Sequence, residues 1–175
     1  EVAKFFGRII DSRSPFTATH SAGVAAVAEA LAKEAGFSEQ ECLQMRVAGH
    51  LHDLGKLAVP KEILEKAGPL TPAERARVQS HTYFTFRILS RLPGFETVNQ
   101  WGSYHHERLD GLGYPDGLRG EAIPLLSRII LIADCFEAMT SDRSYRPSGG
   151  RPRAFEELRR HAGTQFDPEL VEVFI

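Results

Sequence analysis

Apolar residues in this chain recur at helical spacing over nearly its whole length, and no segment alternates polar with apolar as a half-buried strand does. That pattern predicts an all-α fold. Residues 21–35 are rich in alanine and place Val24, Val27 and Leu31 on one stripe. Across residues 38–54, Leu43, Val47 and Leu54 keep the same spacing, and Ser38 with Glu41 has the form of a capping box. The stretch "PLTPAERARVQSH" announces another helix, with Thr71 as N-cap, Pro72 in the first turn and Glu74 as the reciprocal partner. It is expected to carry His81 in its interior and to run to about Arg91. Residues 125–140 are strongly apolar on one side and carry Asp134.

Two stretches interrupt the helices. In "RLDGLGYPDGLRGEAIP", residues 108–124, glycines at 111, 113, 117 and 120 together with Pro115 exclude a helix. A second glycine-proline patch, "RPSGGRPR", follows Tyr145. The 175 residues suffice for one domain with a single substantial core, and the chain reads as a domain excised from something longer. Lysine and arginine number 21 against 23 acids, a formal charge of −2, so no global basic field exists to hold duplex nucleic acid or an anionic membrane. An anionic substrate would need local cations or metal ions. No run approaches a membrane span and no signal peptide opens the chain. Cys42 and Cys135 sit among apolar residues, as small core residues in a reducing compartment do.

The histidines carry most of the chemistry. His20, His52, His81 and the adjacent pair His105–His106 each fall on a different expected helix or helix end, as does Asp134. Ligand sites in helical bundles are built in this way, from inward side chains of facing helices. Taken singly, a histidine in a helix is usually a surface or hydrogen-bonded residue, and a His-Asp dipeptide such as His52–Asp53 is common. Asp134 is more informative, because it interrupts the apolar run "IILIADCFEAM". A buried, unpaired carboxylate costs several kcal/mol, so a cation or metal normally stands beside it. The His105–His106 pair, with diverging side chains, could reach two neighbouring centres. Imidazole mixed with carboxylate suits Fe, Mn or Zn better than Mg or Ca. His50 falls on an apolar stripe and reads as a core or supporting histidine, and His161 lies in a polar stretch and reads as surface.

The ordered segments "THS", "HDLGK", "HHERLDGLGYPDGLRGEAIP", "RIILIADCFEAMTSDRSYR" and "GTQFDPELV" resemble the HD-GYP domain, a bacterial subgroup of the HD metal-dependent phosphohydrolases. The resemblance spans residues 20–171. It implies an HD-type bundle of about seven helices with a Gly/Pro-rich GYP loop. It also implies a phosphodiesterase that opens cyclic di-GMP to linear pGpG, with continuation to GMP left open, using a water shared between two cations as nucleophile. His20, His52, Asp53 and Asp134 would hold the first ion. His81, His105 and His106 would hold the second, with Asp53 bridging. Fe or Mn is the expected metal, with Zn or Ni as ions acquired on purification. Lys56 matches the family lysine on the scissile phosphate, and Arg143 and Arg146 match cations that hold the substrate's phosphates. Tyr114 would stack on a guanine or pin the loop. Gly111 and Gly113 would permit turns, Pro115 would stiffen the loop, and Asp110 would brace it.

One subset of the family has a third metal, with a glutamate four residues before the first histidine. Phe16 stands there and cannot ligate, so two ions are expected. The alternatives are a catalytically quiet nucleotide sensor or docking module, and a hydrolase of another cyclic dinucleotide. A complete two-metal ligand set favours the enzyme. The resemblance further implies a cytoplasmic domain within a longer, potentially membrane-anchored chain. Its partners would be an upstream sensory or receiver module in cis, diguanylate cyclases meeting the GYP loop, and a second copy in a homodimer.

Overall fold

The structure, a computed structural model, describes residues 1–12, 19–141 and 149–175. Phe16, Arg143 and Arg146 lie outside the described residues. Among those described, the regular elements are α1 (Val2–Asp11), α2 (His20–Glu34), α3 (Glu39–Leu51), α4 (Lys61–Leu64), α5 (Pro72–Gln79), α6 (His81–Leu89), α7 (Glu96–Ser103), α8 (Leu125–Thr140), α9 (Gly150–Arg160) and α10 (Pro168–Phe174). Short 3₁₀ turns occupy Leu54–Ala58 and Gly120–Ala122. The described residues contain no strand, only an isolated bridge between Ala162 and Phe166. None of their helices is long and apolar enough to cross a membrane.

The apolar run around Asp134 becomes the central helix. In α8, Leu126, Ile129, Ile130, Leu131, Ile132 and Ala133 are all buried, which places core around most of its circumference. It packs against α2, α7 and α9, and its side chains join Val24, Leu31, Met45 and Leu158 in one core. Burying an isoleucine or leucine in such a core contributes about 1.5–3 kcal/mol. A smaller cluster of Ile10, Leu51, Leu54 and Leu89 ties α1 and α6 to the end of α3.

Both capping boxes form as expected, at Ser38–Glu41 and Thr71–Glu74. Other boundaries differ from the sequence expectation. The helix expected over residues 72–91 is two helices, α5 and α6, separated at Ser80, so His81 opens α6 instead of lying inside a longer helix. This break and the short α4 raise the helix number above the expected seven. The helix expected over residues 38–54 ends at Leu51. Its buried face is Cys42, Met45, Ala48 and Gly49, whereas Leu43 is 50% exposed. The reason is helix approach: a Cβ on Gly49 would fall 2.6 Å from Ala25 Cα, so the small-residue face, not the bulkier one, meets α2. Within the second glycine-proline patch, α9 begins at Gly150 and accommodates Pro152 in its first turn.

Candidate metal centre

Where α3 ends, the chain turns through His52 and Asp53 before the 3₁₀ turn begins. On a continuing helix these neighbours would point about 100° apart. At the turn they converge, with His52 Nε2 3.3 Å from Asp53 Oδ2. The Thr85 hydroxyl donates to the His52 carbonyl at 3.1 Å and accepts from the Gly55 N–H at 2.9 Å, fastening the turn to α6. Thr85 lies one helical turn beyond His81, so the same helix anchors the turn and supplies a further imidazole. Gly55 makes the approach possible: a Cβ there would lie 1.9 Å from the His81 carbonyl oxygen.

Hydrogen bonds define the tautomers. His52, His81 and His105 each place Nδ1 on the carbonyl three residues earlier, of Gly49 (2.7 Å), Val78 (2.7 Å) and Gly102 (2.5 Å). A carbonyl can only accept, so Nδ1 carries the proton and Nε2 keeps its lone pair. All three Nε2 atoms are buried without a hydrogen-bond partner, as is Asp53 Oδ1. Buried polar atoms are rarely left so, and here four orphans converge. Asp53 faces two ways. Its Oδ2 looks toward His52 and toward His20 Nε2 (3.8 Å), and its Oδ1 toward His81 Nε2 (3.4 Å) and His105 Nε2 (3.9 Å). Asp134 Oδ1 completes the first side, 3.2 Å from His20 Nε2.

Two groups result, Asp53–His81–His105–His106 and His20–His52–Asp134, each with potential ligand atoms within 4.8 Å of one another. Imidazole lone pairs and carboxylate oxygens in this arrangement fit divalent metal ions. His105 and His106 serve the same group. They sit in a turn after α7 with ring centroids 4.0 Å apart, so the divergence expected for an adjacent pair does not arise.

Burial alone would push the Asp53 carboxyl up, but Lys56 and the imidazoles of His52 and His81 hold it well below the ordinary carboxylate range. Asp134 follows the same pattern, with burial outweighed by His20. Burial depresses His81, His105 and His106, the last to about 3, and neutral rings of this kind are the ligating form. His20 goes the other way. Burial opposes its charge, yet Asp134 and Glu137 raise it to about 10. Lys56, 28% exposed, reaches the cluster from its open side, with Nζ 2.5 Å from Asp53 Oδ2.

The GYP loop is secured from beneath. Glu107 is buried, and its carboxylate accepts the N–H groups of Asp116, Gly117 and Leu118 at 2.7, 3.1 and 2.9 Å. Asp110 braces the loop through a two-point pair with Arg108 (3.0 and 2.6 Å) and an N–H bond to the Thr164 carbonyl. Arg108 also donates to Gln165 Oε1 at 3.1 Å, which ties the loop to the "GTQF" segment. Gly111 has φ +74, as a turn requires. Gly113 is needed for proximity and not for a turn, since a Cβ would lie 2.4 Å from the His106 carbonyl oxygen. The Tyr114 ring stacks on His106 (centroids 4.7 Å apart, 30° between planes), and its N–H donates to the His106 carbonyl. Pro115 follows through a cis peptide bond. His50 is half-buried against α1 near Gly7, outside the cluster, and His161 pairs with Glu157 near the surface.

An HD domain model matches residues 4–170. The chain belongs to the HD domain family. Its HD-GYP character is shared with curated relatives. It is 41% identical over 164 residues to the 3'3'-cGAMP-specific phosphodiesterase 3 of Vibrio cholerae, covering 94% of this chain and 36% of that protein. Over 177 residues it is 37% identical to the cyclic di-GMP phosphodiesterase of Thermotoga maritima, covering the whole of this chain and 48% of that protein. The chain thus spans less than half the length of either. In fold, this HD domain resembles a Vibrio cholerae cyclic GMP-AMP phosphodiesterase (TM-score 0.73, 21% identity, 99% of this chain and 47% of that one). It also resembles the HD domain of the Listeria monocytogenes phosphodiesterase PgpH bound to cyclic-di-AMP (TM-score 0.67, 24% identity, 97% and 91% covered).

Sequence reading passed over Glu107, Glu137, Gly55 and Thr85. Glu137 offered the signal that picked out Asp134, an acid inside the apolar run. Gly55 and Thr85 carried no signal, because their roles arise only where two helices meet.

Proposed function

We propose that this domain is a metal-dependent phosphodiesterase that opens the ring of a cyclic dinucleotide, with cyclic di-GMP the favoured substrate and linear pGpG the first product. The two-sided Asp53 carboxylate supports the reading, set between two groups of histidines whose ligating nitrogens have no other partner. One ion would be held by His20, His52, Asp53 and Asp134, and the other by His81, His105, His106 and Asp53, with Fe or Mn suited to this donor set. When bound, such a pair provides a nucleophilic water near neutral pH and offsets charge on the phosphoryl oxygens.

The remaining work falls to the chain's own side chains. Asp53 fixes the separation of the two histidine groups. Lys56 brings its ammonium from the open side of the cluster to a phosphate seated there and offsets charge that grows during attack. Arg143 and Arg146 supply guanidinium forks for the substrate's phosphates. Tyr114, packed on His106, pins the loop wall or stacks on a guanine of the substrate. The domain would work in the cytoplasm as the output of a longer chain, receiving its signal from a sensory or receiver module in cis. A diguanylate cyclase meeting the GYP loop and a second copy of the domain are the further proposed partners.

A mixed cyclic dinucleotide is the second reading, favoured by the name of the 41%-identical relative. Protein purified without oxygen and loaded with Mn or Fe, incubated separately with cyclic di-GMP and 3'3'-cGAMP, decides between them. Cleavage of cyclic di-GMP supports the first reading and cleavage of 3'3'-cGAMP alone supports the second. Binding of either without cleavage refutes both in favour of a sensor.

A further inference from the structure

Three imidazoles of the centre find their Nδ1 partner in the same way, on a backbone carbonyl three residues earlier. His20 does not. It opens α2 and takes its partner from another helix, donating Nδ1–H to the Oε2 of Glu137. Glu137 is buried on α8, three residues past Asp134, so the carboxylate beside His20 Nε2 and the carboxylate behind its Nδ1 share one face of one helix. The other Glu137 oxygen accepts from Ser141 Oγ at 2.5 Å, which fixes its rotation. Gly23, three residues beyond His20, leaves space for it, since a Cβ there would fall 2.7 Å from Glu137 Cγ. The imidazole stands between Glu137 and the Asp53–Asp134 pair, so this carboxylate addresses the ring and not the ions.

We propose that Glu137 is a positioning residue for the His20 side of the centre. Through His20 it sets the affinity of the ion held by His20, His52 and Asp134 while touching no ion itself. A carboxylate accepts more strongly than a carbonyl, so it fixes the tautomer and plane of His20 and leaves its Nε2 a better donor than the carbonyl-held imidazoles of His52, His81 and His105. The proposal rests on the two-ion reading above. It adds an asymmetry: His20 is backed by a side-chain carboxylate, whereas His81 and His105 on the other side are backed by backbone carbonyls.

Mn(II) titration with a count of bound ions tests it on the wild type, Glu137→Gln and Gly23→Ala, each also with His20→Ala. Glu137→Gln preserves shape and an acceptor oxygen while removing the charge, and Gly23→Ala keeps the charge but displaces the carboxylate. Either is expected to weaken one of two Mn(II) sites by about 10- to 100-fold, leaving the other unchanged. With His20→Ala in place, the weakened site is already absent and Glu137→Gln should have no further effect. Two wild-type sites that Glu137→Gln leaves within twofold, or weakens equally, overturn the role of Glu137. So does any effect of Glu137→Gln on the site remaining in His20→Ala. A wild type that binds fewer than two ions removes the two-ion reading itself, and the proposal with it.

Discussion

At Asp53, a 2% exposed carboxylate stands among four imidazoles and a lysine, an arrangement with no value to a hydrophobic core. Replacing it with asparagine removes the charge both groups share. Asp53→Asn is therefore expected to fold, to lose ion binding on both sides and to show no measurable turnover, checked by metal content and product formation together. Lys56 is a different case, since it touches Asp53 from the open side and is no ligand. Lys56→Ala should retain both ions yet lower kcat by roughly 10²-fold, as the loss of one transition-state contact does. An unchanged kcat would remove Lys56 from the chemistry. At this scale the sequence was most legible for residues that violate a pattern, such as Asp134 in its apolar run. It was least legible for Glu107, an ordinary-looking acid whose partners are three backbone N–H groups of the loop ahead of it.

Among the elements, two junctions decide the geometry. The first is the contact of the 3₁₀ turn with α6, where Gly55 lies against the His81 backbone and Thr85 joins both sides. Gly55→Ala must push these backbones apart. Its cost should reach the upper end of the roughly 1–3 kcal/mol of overpacking or exceed it, and chemical denaturation measures that directly. The second junction holds the GYP loop through Asp110 and Arg108. The Arg108 guanidinium lowers the Asp110 carboxyl from its ordinary 3.8 to about 2. A carboxyl depressed in the folded state stabilises above its ordinary value, and that contribution fades as pH falls from about 4 toward 2. Thermal unfolding across pH should therefore find Asp110→Asn less stable than wild type at pH 6, with the gap closing as pH nears 2. A gap that persists in acid would mean that the ion pair with Arg108 is not what Asp110 contributes to stability.

For the whole molecule, the centre draws its residues from α2, the α3 end, α6, the turn after α7, and α8. Ions held there cross-link elements spread over about two-thirds of the chain, from His20 to Asp134, and they bind the folded state alone. An ion at 100 times its Kd adds about 2.7 kcal/mol, so loading should raise Tm by roughly 5–10 °C and chelation should reverse it. The same preparations should contain two tightly bound ions per chain. A well-occupied third would refute the reading of Phe16.

The sequence by itself determined the helical class, both capping boxes, the loop that cannot be helical and the residue types able to hold cations. These are local matters, written in the spacing of apolar residues and in the backbone limits of glycine and proline. Only the tertiary structure decided that α5 and α6 part at Ser80, that the smaller face of α3 meets α2, and that Asp53 turns one oxygen to each group of histidines. Those outcomes depend on how closely two backbones approach, and neither partner's sequence records that distance.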